Sequence, residues 1–313
     1  MKIAFFLAGL IGLLQGGMLD TQIYPQNTTA SLQHITLLDQ KILLYKQIGG
    51  LRFSEISDLA YDQNKKRLYF VSDEGKLFTF DALFADKIEK LNAINGVELV
   101  KKSGEQFKRW RRDSEGLTID NKGELYVSFE GRAKIGKFDQ EGRMQKEYVL
   151  PKKLIDPKNY RSRNKSLEAL AWHPGHGLLT AVEWPLKQKH KKEHTIYALN
   201  GKEWSFKAEA EGKSAVVAME VMDDGNLLVM ERSFTGLMNP LVITLKKVHL
   251  MTCKSRKQLC KSELLLKMNT HQGWNIDNFE GLAKVGKYRY VMVSDDNDNF
   301  FQKTLFVYFE ISH

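Results

Sequence analysis

Apolar and polar residues alternate along this chain in short runs separated by turns rich in Gly, Asn, Asp and Lys, a period-two pattern that predicts half-buried β-strands rather than helices. The runs come in pairs. Five pairs recur: "DLAYDQNKKRLYFVSD" (58–73), "EGLTIDNKGELYVSFE" (115–130), "EALAWHPGHGLLTAVE" (168–183), "EVMDDGNLLVME" (220–231) and "EGLAKVGKYRYVMVSD" (280–295). A hairpin repeated about every 50 residues, with further strands between copies, is the signature of a β-propeller. The first unit reads as strands at 56–62, 67–73, 76–81 and 97–102, and the second at 115–120, 124–130, 133–138 and 144–150. Later units open near Leu167, Val216 and Asn278. The last unit holds only three strands, and a fourth is available in "HITLLDQKILLYKQI" (34–48). Pairing it there closes the ring and removes open sheet edges. The pattern therefore predicts an all-β fold, a propeller of five four-stranded blades closed by an N-terminal strand on the last one. Dividing the 34–48 segment and the loop after Phe84 differently would give six.

Every hairpin copy begins and ends on an acid, and four of the five have the same acid-to-acid spacing of 15 residues. In an antiparallel hairpin the start of one strand lies beside the end of the other, so both acids fall at one end of the unit. Five units around one axis would ring one mouth of the central channel with carboxylates. The fourth copy departs from this. Glu220 precedes its turn glycine, Gly225, by five residues, whereas Glu115 precedes Gly123 by eight. An odd difference along a strand turns a side chain to the other face, which makes Glu220 the weakest member of the set.

Composition adds a compartment and excludes some partners. Lys2 precedes an apolar run from Ile3 to Leu14, too short to span a bilayer but of the right length for the core of a secretory signal. Residues 1–20 read as a leader cleaved between Gly16 and Thr21, and 21–313 as one propeller domain that is monomeric and periplasmic or secreted, with no transmembrane span after cleavage. Cys253 and Cys260, the only two cysteines, flank a basic loop and suit a local disulfide in an exported chain. The net charge of +9 permits anionic ligands, but the basic residues are scattered and no nucleic-acid module is recognisable. No nucleic-acid partner is expected. The chain also lacks a G-x-S-x-G elbow, an H-E-x-x-H helix and a Walker loop, which argues against serine-hydrolase, zincin and P-loop chemistry.

The openings in which an acid precedes Gly-Leu or an equivalent pair, "DSEGLTID", "SLEALAW" and "NFEGLA", with the partner segments "FVSDEG", "VMERS" and "VSDDNDNF", resemble the phytase-like family of exported proteins with esterase-like activity. The resemblance runs from Phe53 to Ile311, and "NFEGLA" with "VMVSDDNDNF" is its most specific part. It implies a β-propeller with catalytic acidic positions and, by analogy with propeller phytases, calcium-assisted attack on phosphate esters.

The residues themselves suggest how such chemistry would be divided. A crowd of carboxylates is tolerated when its members are protonated, paired with Arg or Lys, or bound to a cation. Oxygen-rich surroundings favour a hard ion, with Ca²⁺ ahead of Mg²⁺ or Mn²⁺. The candidate metal ligands are Asp58, Asp73, Glu130, Glu183, Glu231, Asp295 and Asp296, the last two in the donor-dense "SDDNDN". Glu115, Glu168 and Glu280 are the candidate catalytic carboxylates, one of them a general base toward water. Arg111, Arg112, Lys165 and Arg232 stand beside ring acids and are candidates for gripping a small anionic or ester substrate. Two readings stay open: a divalent-metal-assisted hydrolase of phosphate or carboxylic esters, and a non-catalytic propeller binding a ligand or protein in the cell envelope. In the second, the acids accept backbone N–H groups and tie neighbouring blades together.

Overall fold

The computed structural model describes residues 17–162, 165–209, 211–236, 238–253, 255, 258–299 and 301–312. Five sheets surround one axis. The first blade is Ile56–Asp62, Arg67–Ser72, Lys76–Phe84 and Ile88–Glu98, and the second is Ser114–Ile119, Leu125–Phe129, Lys134–Phe138 and Met144–Tyr148. The third comprises Leu167–His173, Gly177–Val182, Glu193–Ala198 and Glu203–Lys207, extended by the short parallel strand Leu259–Cys260. The fourth is Ala215–Val221, Leu227–Ser233, Val242–Val248 and Ser262–Asn269. The fifth is Asn278–Gly286, Arg289–Asp295 and Leu305–Ile311, completed by Ile35–Leu43.

The ring closes as the pattern predicts. Ile35–Leu43 runs antiparallel to Leu305–Ile311, pairing Ile35 with Ile311 and Ile42 with Leu305, and Met18–Asp20 adds a short edge outside it. The six-blade alternative fails because Ile88–Glu98 is the outer strand of the first blade. That strand was expected at 97–102. A long, polar-rich run with several exposed positions hides its alternation, since only one of its faces packs. The apolar core of the expected leader, 3–14, lies outside the described residues. No helix among the described residues is long and apolar enough to cross a membrane.

The buried apolar side chains divide into five clusters, one at each boundary between neighbouring blades. Successive side chains of a strand point to opposite faces, and strands such as Ile56–Asp62 and Leu125–Phe129 are buried at every position, so each blade feeds the cluster on either side of it. Near the axis the inner strands come very close. A Cβ on Gly281 would lie 2.9 Å from the Asp58 Cα, and one on Gly116 would lie 2.7 Å from the Leu170 backbone nitrogen. The glycine of each "EGL" is therefore a requirement of packing around the axis. Cys253 and Cys260 form a disulfide with Cα atoms 4.5 Å apart, next to the strand that joins the fourth blade's excursion to the third blade.

Candidate functional site

A bulge sets the geometry of the mouth. On every inner strand the pairing register slips by one residue near the first turn of the hairpin ladder. The displaced residues are Ser57, Glu115, Glu168, Val217 and Glu280. A bulge re-aims the extra side chain out of the ladder. Just beyond the slip, each second strand delivers one more residue at the same end: Asp73, Glu130, Glu183, Arg232 and Asp295. Seven of these ten positions are acids and one is arginine.

The seven acids lie within each other's electrostatic reach. Burial and then Glu130, Glu280, Asp113 and Asp73 push the Glu115 carboxyl well above the ordinary range, while burial and then Glu183, Glu115, Glu130 and Glu280 do the same to Glu168. Burial raises Asp73 and Glu130 to about 7, and burial with the Glu280 charge raises Asp295 to about 8. Oxygens of Asp113, Glu115 and Glu130 approach within 4.8 Å of one another, as do those of Glu130, Glu168 and Glu183. Glu130 belongs to both groups. This buried acidic cluster has the donor chemistry to hold a metal ion.

The two halves of the mouth differ in compensation. On the side of blades three, four and five, the Arg232 guanidinium lies 3.3 Å from Glu183 and also pairs with Glu280 and the Asn278 side-chain oxygen. Lys165 reaches Glu183 at 2.5 Å. Burial opposes the charge on Arg232, and Glu280, Glu183 and Glu168 outweigh it. Beside these cations lies a pocket of about 630 Å³, with Trp184, Lys213, Asn297 and Gln302 in its walls. On the side of blades one and two, no ion pair among the described residues reaches Asp73, Asp113, Glu115 or Glu130, and Glu130 accepts the backbone N–H of Ser166 at 3.1 Å. Among the described residues no hydrogen-bond donor reaches the side chains of Glu115 or Glu168.

Several expected members lie elsewhere. Asp58 is not in the mouth: its carboxylate accepts from the backbone N–H groups of Leu59 and Leu117 at 2.8 Å and of Leu282 at 3.1 Å, tying the inner strands of blades one, two and five. The first hairpin is one residue longer than the others, so counting 15 back from Asp73 lands on Asp58 instead of the bulge residue Ser57. Glu231 is also out of the mouth. It faces the interface of blades three and four, where it accepts from Glu209 N–H and Ser214 Oγ and lies 3.4 Å from Lys246, and Arg232 takes the mouth position. Glu220 accepts from Val221 and, across the blade boundary, from Lys284. Asp296 accepts from Glu55 N–H and Thr304 Oγ1 and so ties the end of the strand Arg289–Asp295 to the first blade's approach and to Thr304. Of the four basic candidates, Lys165 and Arg232 reach the cluster. Arg112 pairs with Glu74 at 3.5 Å, and Arg111 stacks over Trp110 at 4.4 Å. Asp113 was missed, although it precedes Glu115 by two and pairs with Glu130, whose N–H donates to its carbonyl at 2.8 Å.

With this arrangement in view, comparison with known proteins decides the family. The phytase-like profile, described as "Esterase-like activity of phytase", matches residues 51–298. The chain belongs to the phytase-like family. No curated protein matches the sequence of this phytase-like chain. Solved propellers resemble it loosely. A virginiamycin B lyase from Staphylococcus aureus is 10% identical with a TM-score of 0.40, over 95% of this chain and 99% of that one. The Cps50 (Swd1) propeller domain of Myceliophteria thermophila is 10% identical with a TM-score of 0.43, over 95% and 98%.

Proposed function

We propose that this chain is an exported, hydrolase-like propeller that cleaves a phosphate or carboxylic ester at its acidic mouth with the help of a divalent cation. One observation carries the reading: Glu115 and Glu168 sit among five further acids and meet no donor among the described residues. Such carboxylates are stable only when protonated or beside a cation. An all-oxygen donor set suits Ca²⁺, and the triad of Asp113, Glu115 and Glu130 would hold it. A bound divalent ion supplies charge that stabilises a developing oxyanion.

The chain's own groups divide the remaining tasks. Arg232 and Lys165, anchored on Glu183, hold an anionic oxygen of the substrate. Glu168, whose carboxyl is pushed well above the ordinary range by burial and then by the Glu183 charge, exchanges the proton with water. Glu280, bonded to Arg232 and to the Asn278 amide at 2.9 Å, orients that arginine. The disulfide supports export to an oxidising compartment, and a monomer with a small anionic or ester substrate fits the pocket beside Arg232. A non-catalytic binding propeller draws support from Asp58, whose carboxylate serves entirely as a tie between blades.

Assaying the purified protein on phosphomonoester, phosphodiester and short acyl ester substrates, with Ca²⁺ or a chelator, separates the two. Calcium-dependent turnover that falls about a hundredfold or more in Glu168→Gln is expected. Turnover indifferent to chelation would remove the metal from the reading, and none on any class would favour the binding propeller.

A further inference from the structure

The acidic mouth has an apolar annex. Beside Glu130, at the same end of the second blade, a groove of about 590 Å³ is walled by Trp110, Ala133, Tyr148, Val149, Ile155 and Tyr160. The crossover from blade two to blade three builds one wall. Leu154 is fully buried and its carbonyl accepts from the Tyr160 hydroxyl at 2.6 Å, which pins the short helix Lys152–Ile155. That anchoring leaves Val149 and Ile155 85% and 55% exposed. Trp110 forms the facing wall, and it lies so close to residue 131 that a Cβ there would fall 1.8 Å from the Trp110 carbonyl oxygen. Only glycine fits beneath it.

Scattered surface apolar residues need no explanation. A concave, mostly apolar groove with a few polar groups at one end has the composition of a ligand site. Its polar groups are Glu130, Ser166 and the Arg132–Glu147 ion pair at 3.5 Å, and Glu130 contributes to both carboxylate triads of the mouth. The groove is therefore continuous with the place where the ester bond would react, and an apolar group lying in it has its polar end at the carboxylates.

We propose that this groove is the subsite for an alkyl or acyl chain of the substrate, so that the ester cleaved is amphiphilic instead of polar throughout. The assignment of the chain to a substrate rests on the hydrolase reading above; the groove's affinity for apolar chains does not.

Two measurements on the whole protein test it separately. Calorimetric titration with the neutral probes 1-butanol, 1-hexanol and 1-octanol should show affinity rising about fourfold per added methylene, the increment for burying one CH₂ group. Val149→Asp and Ile155→Asp, both at exposed positions that tolerate charge, should each weaken 1-octanol binding at least tenfold. Leu264→Asp, on the outer strand of the fourth blade, should leave it unchanged. In parallel, KM for 4-nitrophenyl acetate, butyrate and octanoate should fall along the series in the parent and stay level in Ile155→Asp, and octyl phosphate against methyl phosphate repeats the comparison for phosphoesters. Affinity independent of chain length, or unaltered in both groove variants, overturns the subsite. Chain-dependent binding without turnover keeps the subsite and removes the hydrolase; turnover with no chain-length dependence does the reverse.

Discussion

Arg232 stands where the other four blades place a carboxylate, and its guanidinium spans Glu183 and Glu280 across two blade boundaries. Its side chain is 18% exposed and that of Glu183 only 3%. Removing one partner from a pair this buried leaves an uncompensated charge. Arg232→Gln should therefore cost about 3 kcal/mol of stability at neutral pH. Burial already raises the Glu183 carboxyl, and losing Arg232 raises it further. A carboxyl raised in the folded state destabilises as pH climbs, so the deficit should shrink as pH falls toward 5. Denaturant melts of parent and variant at pH 7.5 and 5 measure this, and a deficit independent of pH would show that lost packing, not charge, is responsible. The sequence could not reveal this role, because Glu231 next door carries the expected charge. Only the register, which pairs Val216 with Glu231, shows that Arg232 is the residue delivered to the mouth.

At the scale of the elements, the hairpins and their number were legible because alternation and turn residues act locally. Where a strand packs one face only, as Ile88–Glu98 does, the pattern blurs and its limits shift. Bulges were not legible. A slip of one residue leaves composition and spacing almost unchanged while exchanging which side chain leaves the ladder, and that is how Asp58 came to be counted as a mouth residue in place of Ser57. Closure was legible because the last unit lacked a strand that the N-terminal segment could supply. Ile35 and Leu37 of that strand enter the apolar cluster between blades four and five. A chain shortened to begin at Tyr45 loses these contacts and bares the edge of Leu305–Ile311. It should lose its cooperative melting transition and aggregate, because an open edge recruits other strands. Adding back a peptide covering 31–46 should restore both; a shortened chain that melts cooperatively as a monomer would mean the strand is dispensable.

For the whole molecule, the consequence of the acidic mouth is a stability that depends on pH and on cations together. Asp73 and Glu130 titrate near 7 and Asp295 near 8 in the folded chain, against values near 4 when unfolded. Between about pH 4 and 8 the folded state thus binds more protons than the unfolded one, and stability must fall as pH rises through that window. In the presence of a chelator the melting temperature should climb as pH is lowered from 8 to 5. A divalent ion takes the place of those protons, so its stabilisation is largest at pH 8 and fades as protons compete. At a hundredfold excess over its dissociation constant the ion adds about 2.7 kcal/mol, and the calcium-loaded protein should melt nearly independently of pH across the same range. Thermal melts at several pH values, with Ca²⁺ or with chelator, read out both effects at once. If the chelated protein shows the acid-side gain while calcium changes nothing at any pH, the carboxylates are held neutral by their own protons, and the mouth is a protonated structural ring with no metal to assist hydrolysis.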